Sequence, residues 1–148
     1  DMNRRDAGTL SISVPNLTQG QQYALTFSLA GNPDSLIYDT NHVKGLQVSN
    51  GTTSQNYYFN VANALGAGIP STNANMGWVG RTFYFTAQGG DVLTFSSLNP
   101  GSMWGAALGN LSVSAVGSNP GAVPEPSTVL LMGAGLAGLF VARRRRLV

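Results

Sequence analysis

The chain has 148 residues, of which 9% are charged and none is cysteine, so a disulfide framework and a thiol nucleophile are excluded. Its formal net charge of +2 depends on four consecutive arginines near the C-terminus: Arg143, Arg144, Arg145 and Arg146. Residues 1–122 carry only four basic side chains against five aspartates, and a body so close to neutral lacks the basic surface that binds phosphates, which argues against a nucleic-acid partner.

Two segments near the start alternate apolar and polar residues with a period of two. Residues 9–14 place Leu10, Ile12 and Val14 on one side, and residues 22–29 repeat the pattern. Such a period is typical of a β-strand with one buried face. We expect these two segments to be neighbouring antiparallel strands.

A β-hairpin is the next predicted element. Residues 46–48 mark one strand, Asn50-Gly51 is a strong signal for a tight turn, and residues 57–61 alternate after it. Residues 62–77 are rich in Gly and Asn and have no period, so they predict a long loop of the kind that is functional or mobile.

The rest of the body predicts three more strands. Residues 78–87 alternate with Phe83 and Phe85 on one face, and residues 92–97 and 108–116 follow after glycine-containing turns. Seven short alternating strands predict an all-β fold over residues 1–116, an antiparallel sandwich of two sheets. Residues 117–123 have the composition of a linker.

The C-terminal segment differs in character from the body. Residues 127–142 carry no charge, and as a helix they would span about 24 Å, short of the roughly 30 Å of a bilayer core. Pro126 suits the first turn of a helix, and the arginines can extend the span by reaching the headgroups. We therefore predict a single transmembrane helix at 127–142, with the arginines on the cytoplasmic side and the body outside.

The triplet Pro124, Glu125 and Pro126, the apolar segment and the arginines follow one another in this order. Together they resemble the PEP-CTERM sorting signal of Gram-negative bacteria, over residues 124–148. The resemblance implies that an exosortase, a membrane enzyme similar to cysteine transpeptidases, recognises the signal and removes the helix. It also implies an inner-membrane precursor with its body outside, a mature form at the cell surface or in the extracellular matrix, and an association with exopolysaccharide and biofilm.

An exported protein needs an N-terminal signal, and the sequence opens with Asp1-Met2-Asn3 and shows none, so we expect its natural start to be missing. The body resembles the choice-of-anchor C family in five pieces: residues 8–12, 22–27, 29–34, 76–78 and 93–98. This resemblance implies a galactose-binding-like jelly roll with one or two further strands at the N-terminus. Gly109 stands where that family has an aspartate, which puts any turn or calcium role of that carboxylate in doubt.

The residues do not favour an enzyme. His42 is the only histidine, the body has no glutamate, and its aspartates are scattered, so neither a catalytic triad nor a carboxylate pair can be assembled from the pattern. We expect no catalytic residue, no metal site and no cofactor. A structural calcium ion at Asp34 or Asp39 is the alternative, although two aspartates fall short of the six to eight oxygen ligands that calcium takes.

Carbohydrate binding fits the composition better, because sugars stack on aromatic rings while amides and carboxylates bond their hydroxyls. Trp78 and Trp104 adjoin glycine-rich loops, and Tyr38, Asp39 and Asn41 lie together in another. Trp78 also opens a strand, so a place in the core is equally consistent with it. We expect a non-catalytic, carbohydrate-binding surface protein whose partners are an exosortase, the inner membrane and extracellular polysaccharide. The alternative is a purely structural envelope or biofilm-matrix protein without a ligand site.

Overall fold

Two antiparallel sheets face each other in the computed structural model, which describes residues 1–3 and 6–117. The predicted membrane helix and arginine cluster, and all of the predicted linker after Gly117, lie outside the described residues. The elements in chain order are β1 (Thr9–Val14), β2 (Gln22–Gly31), α1 (Ser35–Tyr38), β3 (Val43–Ser49), β4 (Ser54–Asn60), a 3₁₀ turn (Val61–Asn63), β5 (Val79–Thr86), β6 (Asp91–Ser97) and β7 (Ala106–Ala115). Within the described ranges, no helix has the length and apolar character that crossing a bilayer requires.

The first sheet has the strand order β1-β6-β3-β4, and the second has the order β5-β2-β7. The predicted all-β, antiparallel two-sheet sandwich is confirmed. The predicted pairing of β1 with β2 is wrong, because β1 pairs with β6 and β2 lies between β5 and β7. A period of two specifies which face of a strand is buried but not which strand it pairs with, and β1 and β2 belong to different sheets.

The core forms where the inner faces of the two sheets meet. Phe27 of β2 packs edge-to-face on Tyr57 and Phe95 of the opposite sheet, with ring centroids 5.1 and 6.2 Å apart. Phe83 and Phe85 are both buried beside β2, as their spacing predicts. Alternation therefore identified the inward side chains of β2 and β5 correctly, whereas Leu10 of β1 and Leu111 of β7 are exposed.

The predicted hairpin is also present. β3 and β4 pair from Val43↔Asn60 to Ser49↔Ser54, and the connection between them has four residues. Asn50 organises it, because its side-chain oxygen accepts a hydrogen bond from the Thr53 N–H at 3.0 Å. Gly51 follows with a φ of 88°, the left-handed conformation that glycine adopts at little cost.

Candidate functional site

Three connections meet at one end of the sandwich: α1 after β2, the start of β3, and the loop at 98–105 between β6 and β7. The Asn32 N–H donates to the Gly105 carbonyl at 3.1 Å, which joins the end of β2 to the start of β7. Asn99 is buried and bridges to β3, accepting from the Gly45 N–H at 2.8 Å and donating to the Val43 carbonyl at 3.1 Å. Loops that are distant in sequence are thereby held side by side.

A pair of aromatic side chains lies at this end of the sandwich. The rings of Tyr38, from α1, and Trp104, from the 98–105 loop, are stacked with centroids 5.5 Å apart and an interplanar angle of 19°. Tyr38 remains 65% exposed although one of its faces lies on the indole. The opposite face of its ring is therefore open to solvent, with Trp104 as its backing.

The polar residue Ser102 connects the two loops next to this pair. The Ser102 hydroxyl donates to Asp39 Oδ2 at 2.6 Å and accepts from the Trp104 N–H at 3.1 Å. Asp39 directly follows Tyr38, so this single hydroxyl fixes the backbone beside both rings. We refer to Tyr38, Asp39, Asn41, Ser102 and Trp104 as the loop site.

Lys44 lies behind the loop site and is fully buried. Its ammonium group donates to Asp39 Oδ2 at 2.7 Å and to the Asn41 carbonyl at 2.6 Å. The bond from Lys44, followed by those from Ser102 and the Asn41 N–H, holds the pKa of the Asp39 carboxyl well below its usual range. Gly31 makes room for the lysine stem, because a Cβ at that position would lie 2.9 Å from Lys44 Cγ.

Sequence reasoning missed both Lys44 and Ser102. Lys44 did leave a signal, since it shares the inward-facing alternation of Leu46 and Val48 in β3. A lysine in an inward position needs a buried partner, and that requirement points to a nearby carboxylate. Ser102 left no such signal, because serine is common in loops.

Catalytic chemistry finds little support at the loop site. His42 Nε2 lies 3.1 Å from the main-chain oxygen of Asp39 and so does not orient the Ser102 hydroxyl as a triad requires. Asp39 stays ionised beside Lys44 and is a weak base at neutral pH. The same ammonium contacts Asp39 Oδ2, and the described residues hold no group of three His, Cys, Asp or Glu side chains suited to a metal. A structural calcium ion at Asp34 or Asp39 therefore stays a prediction.

Trp78 lies outside the loop site. It immediately precedes β5, is 47% exposed, and has indole carbons 3.7 and 3.8 Å from the position that a Cβ would take at Gly109 of β7. The interpretation of Trp78 as a core residue is therefore wrong. The fold brings Tyr38, Asp39, Asn41 and Trp104 together and places Trp78 on the second sheet.

The described residues also enclose an apolar cleft of about 220 Å³ between β1 and β7. Its walls are mainly core side chains such as Ile12, Leu93 and Val113. Two serines are the only polar residues among its lining, so it offers few groups that could bond sugar hydroxyls. The loop site carries more of the chemistry that ligand recognition needs.

Comparison with known proteins identifies a motif near the C-terminus and the fold of the body. The model of the PEP-CTERM protein-sorting motif matches residues 122–146, which confirms the resemblance seen in the sequence. No curated protein matches the chain.

The solved structures that are similar to this chain include the following two. One, described as "EclA C-terminal domain; sugar-binding protein", has 19% sequence identity and a TM-score of 0.51, over 76% of this chain and 70% of that one. The other, described as "CBM4 structure and function", has 15% identity and a TM-score of 0.42, over 74% of this chain and 61% of that one. The first likeness supports the two-sheet sandwich as the fold of the body.

Proposed function

We propose that this chain is an exported, non-catalytic carbohydrate-binding protein that an exosortase sorts to the cell surface or extracellular matrix. The single observation that carries the binding function is the Tyr38–Trp104 stack, in which a 65% exposed phenol ring presents one open face. An aromatic ring held in this way suits the apolar face of a pyranose. The fold of a sugar-binding protein supports the same proposal by analogy.

Polar groups around the ring can bond sugar hydroxyls. Asp39 Oδ1 accepts only the Asn41 N–H, at 3.0 Å, and so keeps capacity for another donor. The Asn41 side-chain oxygen accepts from the Val43 N–H at 3.0 Å, which leaves its amide nitrogen to point a donor outward. Tyr38 adds its phenolic hydroxyl at the edge of the stacked rings. A few such groups beside one aromatic face are the usual composition of a sugar site.

The charge of the loop site favours an uncharged sugar. Asp39 and Lys44 neutralise each other across 2.7 Å, and the ammonium is fully buried, so it cannot reach a carboxylate or sulfate on a ligand. The same pair and the Ser102 hydroxyl hold the loops in place before any ligand arrives. Such preorganisation lowers the entropy lost on binding.

Carbohydrate binding is tested by truncating the two stacked aromatic side chains, Tyr38 and Trp104. Tyr38→Ala should weaken binding to soluble uncharged polysaccharides by about tenfold, the loss expected for a central aromatic contact. Trp104→Ala should also weaken binding without unfolding the domain, since it removes the backing of the phenol. Affinity electrophoresis in gels that contain galactomannan, β-glucan or dextran measures the retardation of each variant.

Tyr58→Ala is the matched control, because Tyr58 is also an exposed tyrosine but lies on β4. Unchanged retardation of Tyr38→Ala would rule out the loop site. The structural alternative rests on exposed Ile37 and Met103, which extend the apolar surface beside the two rings and suit contact with another matrix protein. Absence of saturable binding to these polysaccharides and to the exopolysaccharide of the native host would favour that role.

A further inference from the structure

The outer face of the second sheet carries an indole that lies across the strands. Trp78 stands at the start of β5, and its ring reaches Gly109 of β7, with β2 between these two strands. Neighbouring strands are about 4.8 Å apart, so the side chain must extend over the middle strand to make this contact. With 47% of the residue exposed, one face of the indole rests on the sheet and the other faces solvent.

Small residues leave open space beside the indole. Gly80, Ser28 and Gly109 are aligned across the three strands, and a Cβ at Gly80 would meet nothing within 4 Å. The next aligned row consists of Thr82, Thr26 and Ser112.

Beyond these two rows stands Tyr84, which is 57% exposed. Six residues of strand separate it from Trp78, a distance of about 20 Å. We call this surface, from Trp78 to Tyr84, the Trp78 face.

Asn110 adds a polar group at a strained position. It adopts a φ of 51° without being a glycine, and it lies where the pairing of β2 with β7 is irregular, between Thr26 and Ser28. Its side-chain amide donates to the Ser28 hydroxyl at 3.3 Å. Bulges of this kind redirect side chains and are common beside functional sites, and asparagine tolerates the left-handed conformation better than most residues.

The Trp78 face carries no side chain that is charged at neutral pH in these rows. Its exposed groups are an indole, a phenol, hydroxyls and a carboxamide, while Arg81 belongs to the alternate side of β5 and donates to the Tyr58 carbonyl at 3.4 Å. This composition complements an uncharged, hydroxyl-rich ligand and offers no positive charge to an anionic one.

We propose that the Trp78 face is a second binding surface, which holds an extended uncharged polysaccharide. The Trp78 indole stacks on one sugar ring, the Asn110 amide and Ser28 hydroxyl bond sugar hydroxyls, and Tyr84 contacts a ring farther along the chain. This inference shares its ligand class with the proposed function but uses a different surface. Two surfaces on one domain would let a single polysaccharide be held by avidity.

The two tryptophans allow the two surfaces to be observed separately, because the chain has no others. In Trp104→Phe the fluorescence comes from Trp78 alone, and in Trp78→Phe it comes from Trp104 alone. We expect saturating galactomannan, β-glucan or dextran to protect both tryptophans from acrylamide quenching. Alginate, a polyuronate, should protect neither.

Gly109 provides a second, independent variant. Gly109→Ala places its Cβ in ordinary contact with the indole and serves as the control, whereas Gly109→Gln should lift the ring without removing it. Trp78→Ala and Gly109→Gln should each weaken retardation in the polysaccharide gel by about tenfold. Thermal unfolding midpoints verify that the variants remain folded.

The quenching of Trp78 and Trp104 tests the two surfaces separately. If Trp78 stays fully quenchable at saturation while Trp104 is protected, the Trp78 face is not a binding surface and the loop site stands. The reverse pattern supports the Trp78 face and contradicts the loop site. Failure of all three polysaccharides to bind contradicts both.

Discussion

Lys44 is the residue around which the loop site is organised. It is fully buried, and its charge is compensated by Asp39 at 2.7 Å and by the Asn41 carbonyl. Removing one partner of a buried pair is costly, because the other charge is left without compensation. The pair therefore matters to the loop site chiefly as a support that sets the backbone beside Tyr38.

Acidification tests this pair at residue scale. The pKa of Asp39 is lowered on folding, chiefly by the hydrogen bond from Lys44, from an ordinary value near 3.9 in the unfolded chain. A carboxyl of this kind stabilises the native state at pH values above its unfolded pKa, and the contribution is lost as the pH falls through about 4 toward the folded pKa. Asp39→Asn should therefore be less stable than wild type by about 3 kcal/mol at pH 7, with the difference shrinking below about pH 4.

Urea denaturation at pH values from 7 down to 2.5 measures this convergence. Asp6→Asn is the control, because Asp6 is an exposed carboxyl whose pKa is lowered by the backbone N–H groups of Gly101 and Ala7, away from Lys44. Asp6→Asn should retain the loss of stability that wild type shows when Asp39 is protonated. A constant difference between wild type and Asp39→Asn across the range would contradict the inferred pairing.

At the scale of elements, Gly77 anchors the long connection between β4 and β5. It has a φ of 67°, and a Cβ there would lie 2.8 Å from the Ala64 carbonyl oxygen. Gly77→Ala should lower the free energy of unfolding by about 2 kcal/mol, since it adds strain and a contact with backbone. It should also displace the adjacent Trp78.

Gly80→Ala is the matched control in the same region. A Cβ at Gly80 meets nothing within 4 Å, so its stability should stay within about 0.5 kcal/mol of wild type. Urea denaturation gives the stability of both variants, and Trp78 emission in a Trp104→Phe background reports the position of the indole. Equal stability of the two variants would show that the tight fit at Gly77 is unimportant.

The elements also explain which features the sequence could predict. Alternation identified the buried faces of β5 and β6 because burial repeats every second residue. It could not specify that β1 pairs with β6, since this pairing joins residues that are 77 to 87 positions apart. The single turn of α1 was missed because four residues are too few to show a helical period.

The loop site likewise has features that local sequence predicts and features that depend on contacts between distant residues. Residues 38–41 could be grouped because they are close in sequence, and Trp104 could be singled out by its aromatic character. Their meeting with Ser102 arises from the packing of α1 against the 98–105 loop, which no local pattern encodes. Trp78 was grouped with them by chemistry alone, and the fold separates it onto another surface.

At the scale of the whole molecule, the body is nearly neutral and the sorting motif is basic. Residues 1–122 have a net charge of −1, so they have little attraction for an anionic membrane surface, whereas the motif at 122–146 ends in a cluster of arginines. We propose that the C-terminal segment attaches the precursor to the membrane. Its removal by an exosortase would then free the body to reach polysaccharide outside the cell.

Intact-mass spectrometry of the protein from its native host tests this final step. We expect the mature form to lack the peptide that contains Arg143–146, because a processed sorting signal leaves no span in the product. Replacing Pro124, Glu125 and Pro126 with alanine should retain that peptide and keep the protein in the inner-membrane fraction, while Trp78→Ala, which alters only the body, should be processed as wild type. A mature wild-type protein that still carries the arginine peptide would contradict processing, whatever the outcome of the binding experiments.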